Sequence, residues 1–234
     1  EPHIKKIYHG GVLYPSARHA RNPKKILLKL FELFLKRGGK FVKEYVETIN
    51  FSSNNKPLIK TNFNSYSFDK AVISCGAFSK KLTDQVNEKI PLDTERGYHV
   101  HFKGYDHLLK RPVIFLNRGF GITPMEQGLR VVGTVEFGGL NNPLSKERIQ
   151  NLVNNAKYLF PELGKHEDEW LGFRPTLPDF LPVLGPSKNY KNLFYSFGHH
   201  HLGYGPQVDF DWGLLPPLCQ HFQDIPGFFQ ELTQ

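Results

Sequence analysis

Arg174 has the clearest chemical use of any side chain in this 234-residue sequence, and it lies in the run Gly172-Phe-Arg-Pro-Thr-Leu-Pro-Asp-Phe-Leu-Pro-Val-Leu-Gly185. A planar guanidinium can hold a carboxylate in a two-pronged grip and so fix the hydrogen on the adjacent carbon for transfer. The alternative is a structural arginine paired with Asp179 or with backbone carbonyls. Cys75-Gly76 closes a short apolar run, where a glycine lets the backbone approach a ligand and a following helix offers free N–H groups. Many buried strands also end in glycine for steric reasons alone. Tyr98 and His99 are neighbours in a stretch of β formers. Successive strand residues point to opposite faces, so at most one of the two lines a given cavity, and Tyr98 is preferred. His199, His200 and His201 invite a metal reading. Neighbouring strand residues diverge, however, and no acidic or cysteine ligand stands at a supporting spacing, so no metal site is expected.

These residues need elements to position them. Residues 22–37 predict a helix, with Asn22 as cap, Pro23 in the first turn, Leu27, Leu30, Phe31, Phe34 and Leu35 on one face, and Gly38-Gly39 as the stop. Phe41 to Ile49 alternates like a strand, Ser52 to Pro57 reads as a turn, and Leu58 to Phe63 reads as a returning hairpin partner. Lys70 to Ser74 predicts a buried strand, followed by a helix carrying Phe78 and Leu82. From Pro91 to Val135, β formers punctuated by glycines predict an antiparallel sheet. A second helix runs from near Ser145 to Pro161, with Ile149, Leu152, Val153, Ala156 and Leu159 at helical spacing. Residues 170–205 then alternate short strands with Pro and Gly turns. Strands and helices without strict alternation give a mixed α/β or α+β fold.

Composition narrows the classes. The net charge is +8, but the lysines and arginines are scattered in pairs such as Lys24-Lys25 and Lys80-Lys81, which reads as solvated surface and not as a nucleic-acid stripe. Two distant cysteines, Cys75 and Cys219, make no disulfide framework, so a reducing, cytoplasmic setting is expected. No apolar run is long enough to span a bilayer. The sequence contains no Gly-x-Gly-x-x-Gly, no phosphate-binding Gly-x-x-x-x-Gly-Lys-Ser/Thr and no Gly-x-Ser-x-Gly. Its first residue is not Met, and it reads as a fragment or processed product.

Four segments, in order, resemble the later motifs of the D-amino-acid oxidase superfamily, most closely the small-subunit type of D-amino-acid dehydrogenase. They are Asp69-Lys-Ala-Val-Ile-Ser-Cys-Gly-Ala-Phe-Ser79, Glu95-Arg-Gly-Tyr-His-Val100, Gly172 to Gly185, and Leu193-Phe-Tyr-Ser-Phe-Gly-His-His-His-Leu-Gly-Tyr204. Gly10-Gly-Val-Leu-Tyr-Pro, with His19, Asn22 and Pro23, extends the resemblance back, so that it covers about residues 10 to 205. Leu177 stands where the family has Thr, and after Gly205 the chain departs from the family's run of small residues into a helix.

The resemblance implies an FAD-dependent oxidoreductase supplied without its N-terminal Gly-rich segment. Residues 1–90 and 165–234 would form the remainder of an FAD-binding domain, and 91–164 an antiparallel-sheet substrate domain. It implies a carboxylate clamp at Arg174, with Tyr98 beside it at the chemistry and Tyr98 or His99 facing the substrate. Cys75, Gly76, Arg174, Gly198, His199, Leu202, Gly203 and Tyr204 would lie against FAD. The implied reaction removes hydride from the α-carbon of a D-amino acid or related amine, and a glycine or sarcosine oxidase-like reaction stands close behind. Implied partners are a small amino acid or amine, an electron acceptor and a peripheral contact at the inner membrane face. A binding module that has lost FAD is the alternative, favoured by the missing Gly-rich motif.

Overall fold

The structure, a computed structural model, describes residues 1–200. In chain order its elements are α1 (Pro23–Lys36), β1 (Val46–Phe51), β2 (Pro57–Thr61), β3 (Ser65–Ser67), β4 (Ala71–Ile73), α2 (Lys80–Gln85) and β5 (Asp93–Lys103). They continue with β6 (Val113–Phe115), β7 (Phe120–Met125), β8 (Gly128–Glu136), α3 (Lys146–Leu159), β9 (Glu167–Thr176), β10 (Val183–Pro186) and β11 (Leu193–Phe197). The result is the mixed architecture expected from the sequence. Its contacts divide into two compact units, one of Glu1–Val42 with Glu95–Phe173, the other of Lys43–Thr94 with Arg174–Gln234. Residues 1–42 therefore cluster with the antiparallel-sheet unit, whereas the sequence reading had grouped them with residues 43–90.

The first unit is built on a five-stranded sheet in the order β6-β7-β8-β5-β9. The β7–β8 hairpin turns through Glu126-Gln127 between the paired Met125 and Gly128. Gly128 is obligatory there, because at φ +137° an added Cβ would stand 2.2 Å from the Phe102 carbonyl oxygen. β5 pairs antiparallel with β8, setting His99 opposite Val132, Val100 opposite Val131 and His101 opposite Arg130. Helix α3 starts as the sequence predicts, with Ser145 Oγ accepting from the Arg148 N–H at 3.3 Å. Its apolar stripe of Ile149, Leu152, Val153, Ala156 and Leu159 is buried together with Tyr98, Val100, Phe102, Ile122, Leu129 and Val131 of the sheet.

Helix α1 is equally well specified locally. Asn22 Oδ1 accepts from Lys25 N at 3.0 Å, Pro23 opens the first turn, and Gly38 turns away at φ +88°. Its start is tied to the β7–β8 turn by Glu126, whose backbone N–H donates to Arg21 O at 3.0 Å and whose carboxylate takes Asn22 and Lys25. Yet no residue of α1 is buried, and Leu27 is 58% exposed.

In the second unit β1, β2 and β3 form an antiparallel sheet, and a second sheet runs β10-β11-β4. In that second sheet β10–β11 is antiparallel and β11–β4 parallel. Ile49, Ile73, Leu82, Val86, Leu92, Leu177, Leu193, Tyr195 and Phe197 make its core. The strand expected over 41–49 begins only at Val46. Its partner β2 ends opposite Val46 at Thr61, so the alternation of residues 41–45 has no described strand to pair with, and Phe41, Val42 and Tyr45 stay exposed. The helix expected after Cys75 splits into a 3-10 turn at Gly76–Phe78 and the short α2, with Leu82 buried and Phe78 exposed.

Candidate functional site

In the second unit the chemistry gathers at the carboxyl ends of two neighbouring parallel strands. β4 and β11 run in register, Ala71 beside Leu193 and Ile73 beside Tyr195. The segments that follow, Cys75-Gly76 and Gly198-His199, therefore leave the same edge of the sheet, the edge at which parallel sheets meet their ligands. Gly76 takes φ +55°, and nothing lies within 4 Å of the place a Cβ would occupy. Space stands open in front of its backbone. Ser79 braces the turn, its Oγ accepting from Cys75 N at 3.1 Å and its own N–H donating to Gly76 O at 3.2 Å. Gly198 is favoured by its φ of +82°, and an added Cβ would stand 2.3 Å from Leu177 Cδ1, so that side chain would have to shift. Leu177, the departure from the family's Thr, thus packs over that glycine.

His200 N donates to Pro175 O at 3.1 Å, which ties this turn to the strand carrying Arg174. The buried His199 Nε2 and Thr176 Oγ1 have no hydrogen-bond partner among the described residues. Burial lowers the His199 pKa, so its ring is neutral near pH 7. Arg174 is half-buried at the end of β9, and the Asp179 carboxylate accepts from Leu181 N at 3.0 Å. Cys75 is exposed, and partial desolvation raises its thiol pKa, which makes it a poor nucleophile at neutral pH. Leu202, Gly203 and Tyr204, expected at the cofactor, lie outside the described residues, as does His201.

In the first unit the strand alternation decides between Tyr98 and His99. Tyr98 is 1% exposed in the core beneath α3, its hydroxyl donating to Glu136 Oε2 at 2.5 Å and accepting from Ser145 N at 3.4 Å. Arg96 and Arg148 hold the same carboxylate at 3.4 and 3.6 Å. With its ring and hydroxyl committed to the core, Tyr98 does not present the substrate-facing group that the sequence reading preferred. His99 points the other way. Its ring stacks on Trp170 at 4.6 Å with planes 17° apart and meets His101 edge-on at 5.0 Å. Burial, then the charge of Arg130, pushes the His99 pKa down to about 3, and the same causes lower that of His101. Arg130 Nε donates to His101 Nε2 at 2.9 Å, which fixes that imidazole as an acceptor and therefore neutral.

Sequence reasoning missed His101, Arg130 and Trp170. The spacing of His99 and His101, two apart in a strand, was a legible sign that they share a face. The partnership with Arg130 and Trp170 depends on which strands flank β5. Among the described residues no helix is long and apolar enough to cross a membrane.

A family model described as FAD dependent oxidoreductase matches residues 1–206. A D-amino-acid oxidase of Bradyrhizobium diazoefficiens is 31% identical over 208 residues, covering 87% of this chain and 49% of that protein. A D-amino acid dehydrogenase of Helicobacter pylori is 28% identical over 204 residues, covering 85% and 49%. The crystal structure of glycine oxidase from Bacillus cereus superposes with a TM-score of 0.59 at 28% identity, over 68% of this chain and 44% of that one. The chain spans about half the length of the curated relatives it matches.

Proposed function

The chain belongs to the family of FAD-dependent oxidoreductases, and from that premise we propose that it serves the oxidation of a D-amino acid or related small amine at its α-carbon. When bound, FAD supplies the hydride acceptor, which no side chain of this protein could replace. The residues present fit one edge of such a cofactor. Gly76 leaves room for close approach, Gly198 turns the chain beside it, and His199 Nε2 and Thr176 Oγ1 are buried polar atoms awaiting a partner. The observation that carries the reading is this pairing of parallel-strand ends with orphaned polar atoms, inside residues 1–206 that match the family model.

Arg174 has the chemistry to hold the substrate carboxylate, fixing the α-hydrogen for loss of hydride from a substrate whose amine arrives neutral. Hydride and a proton leave the substrate, and water then converts the imine product to an oxo acid and ammonia. Of the two strand neighbours, His99 has ring surface to offer a ligand, whereas the Tyr98 hydroxyl is committed to Glu136.

The visible absorption spectrum tests the reading directly. Purified chain mixed with FAD and dialysed is expected to retain flavin bands, and these are expected to bleach anaerobically on addition of a D-amino acid, glycine or sarcosine. The substrate that bleaches them names the side-chain preference. A protein that stays colourless after dialysis sinks the reading in favour of a binding module.

A further inference from the structure

The turn before β10 and the turn after β11 each hold a side chain in a backbone shape it does not favour. The antiparallel register of these strands sets Val183 opposite Phe197. Carried three residues outward from each, the same register brings Phe180 to face His200. Phe180 has φ +59° and His200 φ +52°, both in the left-handed region, where a Cβ crowds the following carbonyl oxygen. Asparagine tolerates that region, whereas a bulky aromatic residue there is an outlier. The two rings nevertheless meet edge to face, centroids 5.0 Å apart and planes 85° apart, an arrangement that aromatic rings prefer.

Closing the turn does not require the Phe180 ring. Phe180 N donates to Leu177 O at 3.0 Å and the Asp179 carboxylate accepts from Leu181 N at 3.0 Å, contacts that other residues at position 180 would keep. Phe180 is 54% exposed and Leu181 60%, so little apolar surface leaves water in return for the strain. What the ring does touch is His200, whose N–H donates to Pro175 O at 3.1 Å, next to Arg174 and Thr176. His199 stands between His200 and Gly198, which has φ +82°. Both residues flanking His199 are therefore left-handed, and the direction of its ring depends on how they are held. Its Nε2 is buried without a hydrogen-bond partner among the described residues, as is Thr176 Oγ1. Strain at a candidate site that local packing does not explain points to a task at that site.

We propose that Phe180 is a positioning residue: its ring, braced against His200, holds the Gly198–His200 turn so that His199 Nε2 keeps its buried place at the cofactor edge. The role lies wholly within the second unit and acts through His199, with no contact to substrate. It rests on the reading of that edge as the flavin side of the site. Without the ring the turn swings outward and water reaches the imidazole. While buried, that imidazole has a lowered pKa because desolvation disfavours its charged form, so exposure raises the value toward its ordinary 6.5. Arg174 and Asp179, the ionisable groups on the neighbouring segment, are unaltered in the variants below, so a change at His199 reports its burial.

The full chain is compared with Phe180→Asn, which accepts the left-handed backbone without a ring, and with Phe180→Tyr, which keeps the ring. Three quantities are measured: the His199 pKa from histidine ring proton shifts in NMR, with the resonance identified by His199→Gln; the urea midpoint; and FAD affinity by flavin fluorescence. In Phe180→Asn the His199 pKa is expected to rise and FAD to bind roughly tenfold more weakly, while the urea midpoint stays with the parent, relief of strain offsetting the lost ring contact. Phe180→Tyr should match the parent in all three. An unchanged His199 pKa in Phe180→Asn overturns the proposal, and so does a Phe180→Tyr chain that behaves like Phe180→Asn. A large fall in the urea midpoint of Phe180→Asn also overturns it, since the ring would then be an ordinary structural contact. The His199 titration needs no flavin: a parent chain that binds no FAD sinks the functional reading above, while the movement or constancy of His199 still decides the role of Phe180.

Discussion

The two faces of the five-stranded sheet are made by alternate residues of the same strands, and they have opposite fates. On one side Tyr98, Val100 and Phe102 alternate inward from β5, meet Leu129 and Val131 of β8, and are sealed by the apolar stripe of α3. On the other, His99 and His101 share a surface with Arg130 and Trp170, where the hydrogen bond between Arg130 and His101 joins side chains among the described residues. Burial with matched partners makes the first face a source of stability. Partial burial of ionisable rings beside a guanidinium makes the second a face where charge is held down by its surroundings.

The sharpest way to break this contrast is to remove a large side chain from the sealed face. Phe102→Ala, at a position with no solvent exposure, is expected to cost about 3–5 kcal/mol in urea unfolding, because a cavity replaces a full set of contacts. Next comes acid. The His99 pKa lies near 3 in the folded chain and near its ordinary 6.5 when unfolded, so between those values the unfolded state binds the extra proton. Stability contributed by keeping this ring neutral is thus complete above about pH 6.5 and is lost as pH falls toward 3. His99→Asn should flatten the slope of the urea midpoint between pH 4 and pH 6.5, and an unchanged slope would show that other groups govern it.

Tyr98→Phe keeps the ring in the core and removes only the hydroxyl shared by Glu136 and Ser145. A loss of about 1 kcal/mol is expected, measured by the same unfolding curve. Smallest of all should be Arg130→Met, within about 0.5 kcal/mol of the parent in stability, even though it removes a charge from the middle of the sheet. A loss as large as that of Phe102→Ala would make the two faces alike and Arg130 a structural residue.

Much of this was written locally. Both 14-residue helices are legible from caps, apolar spacing and stops, since a cap and a 3.6-residue period need only neighbours along the chain. The family motifs are legible because glycines at 76 and 198 meet backbone demands that a short stretch of chain sets by itself. The alternation of β5 announced that Tyr98 and His99 face apart, but not which of them met the core.

That choice was made by α3, which lies about fifty residues away in sequence and covers one side of the sheet. The same kind of decision left α1 without a buried residue while α3 buries five, although the two stripes look alike on paper. It also set Arg130 beside His101 and stacked Trp170 on His99, contacts fixed by cross-strand register and strand order. Sequence by itself determined which residues could form each helix and turn, because those forces act over a few residues. Tertiary structure alone decided what was buried and which polar groups were left without a partner, because burial and pairing depend on segments distant in the chain.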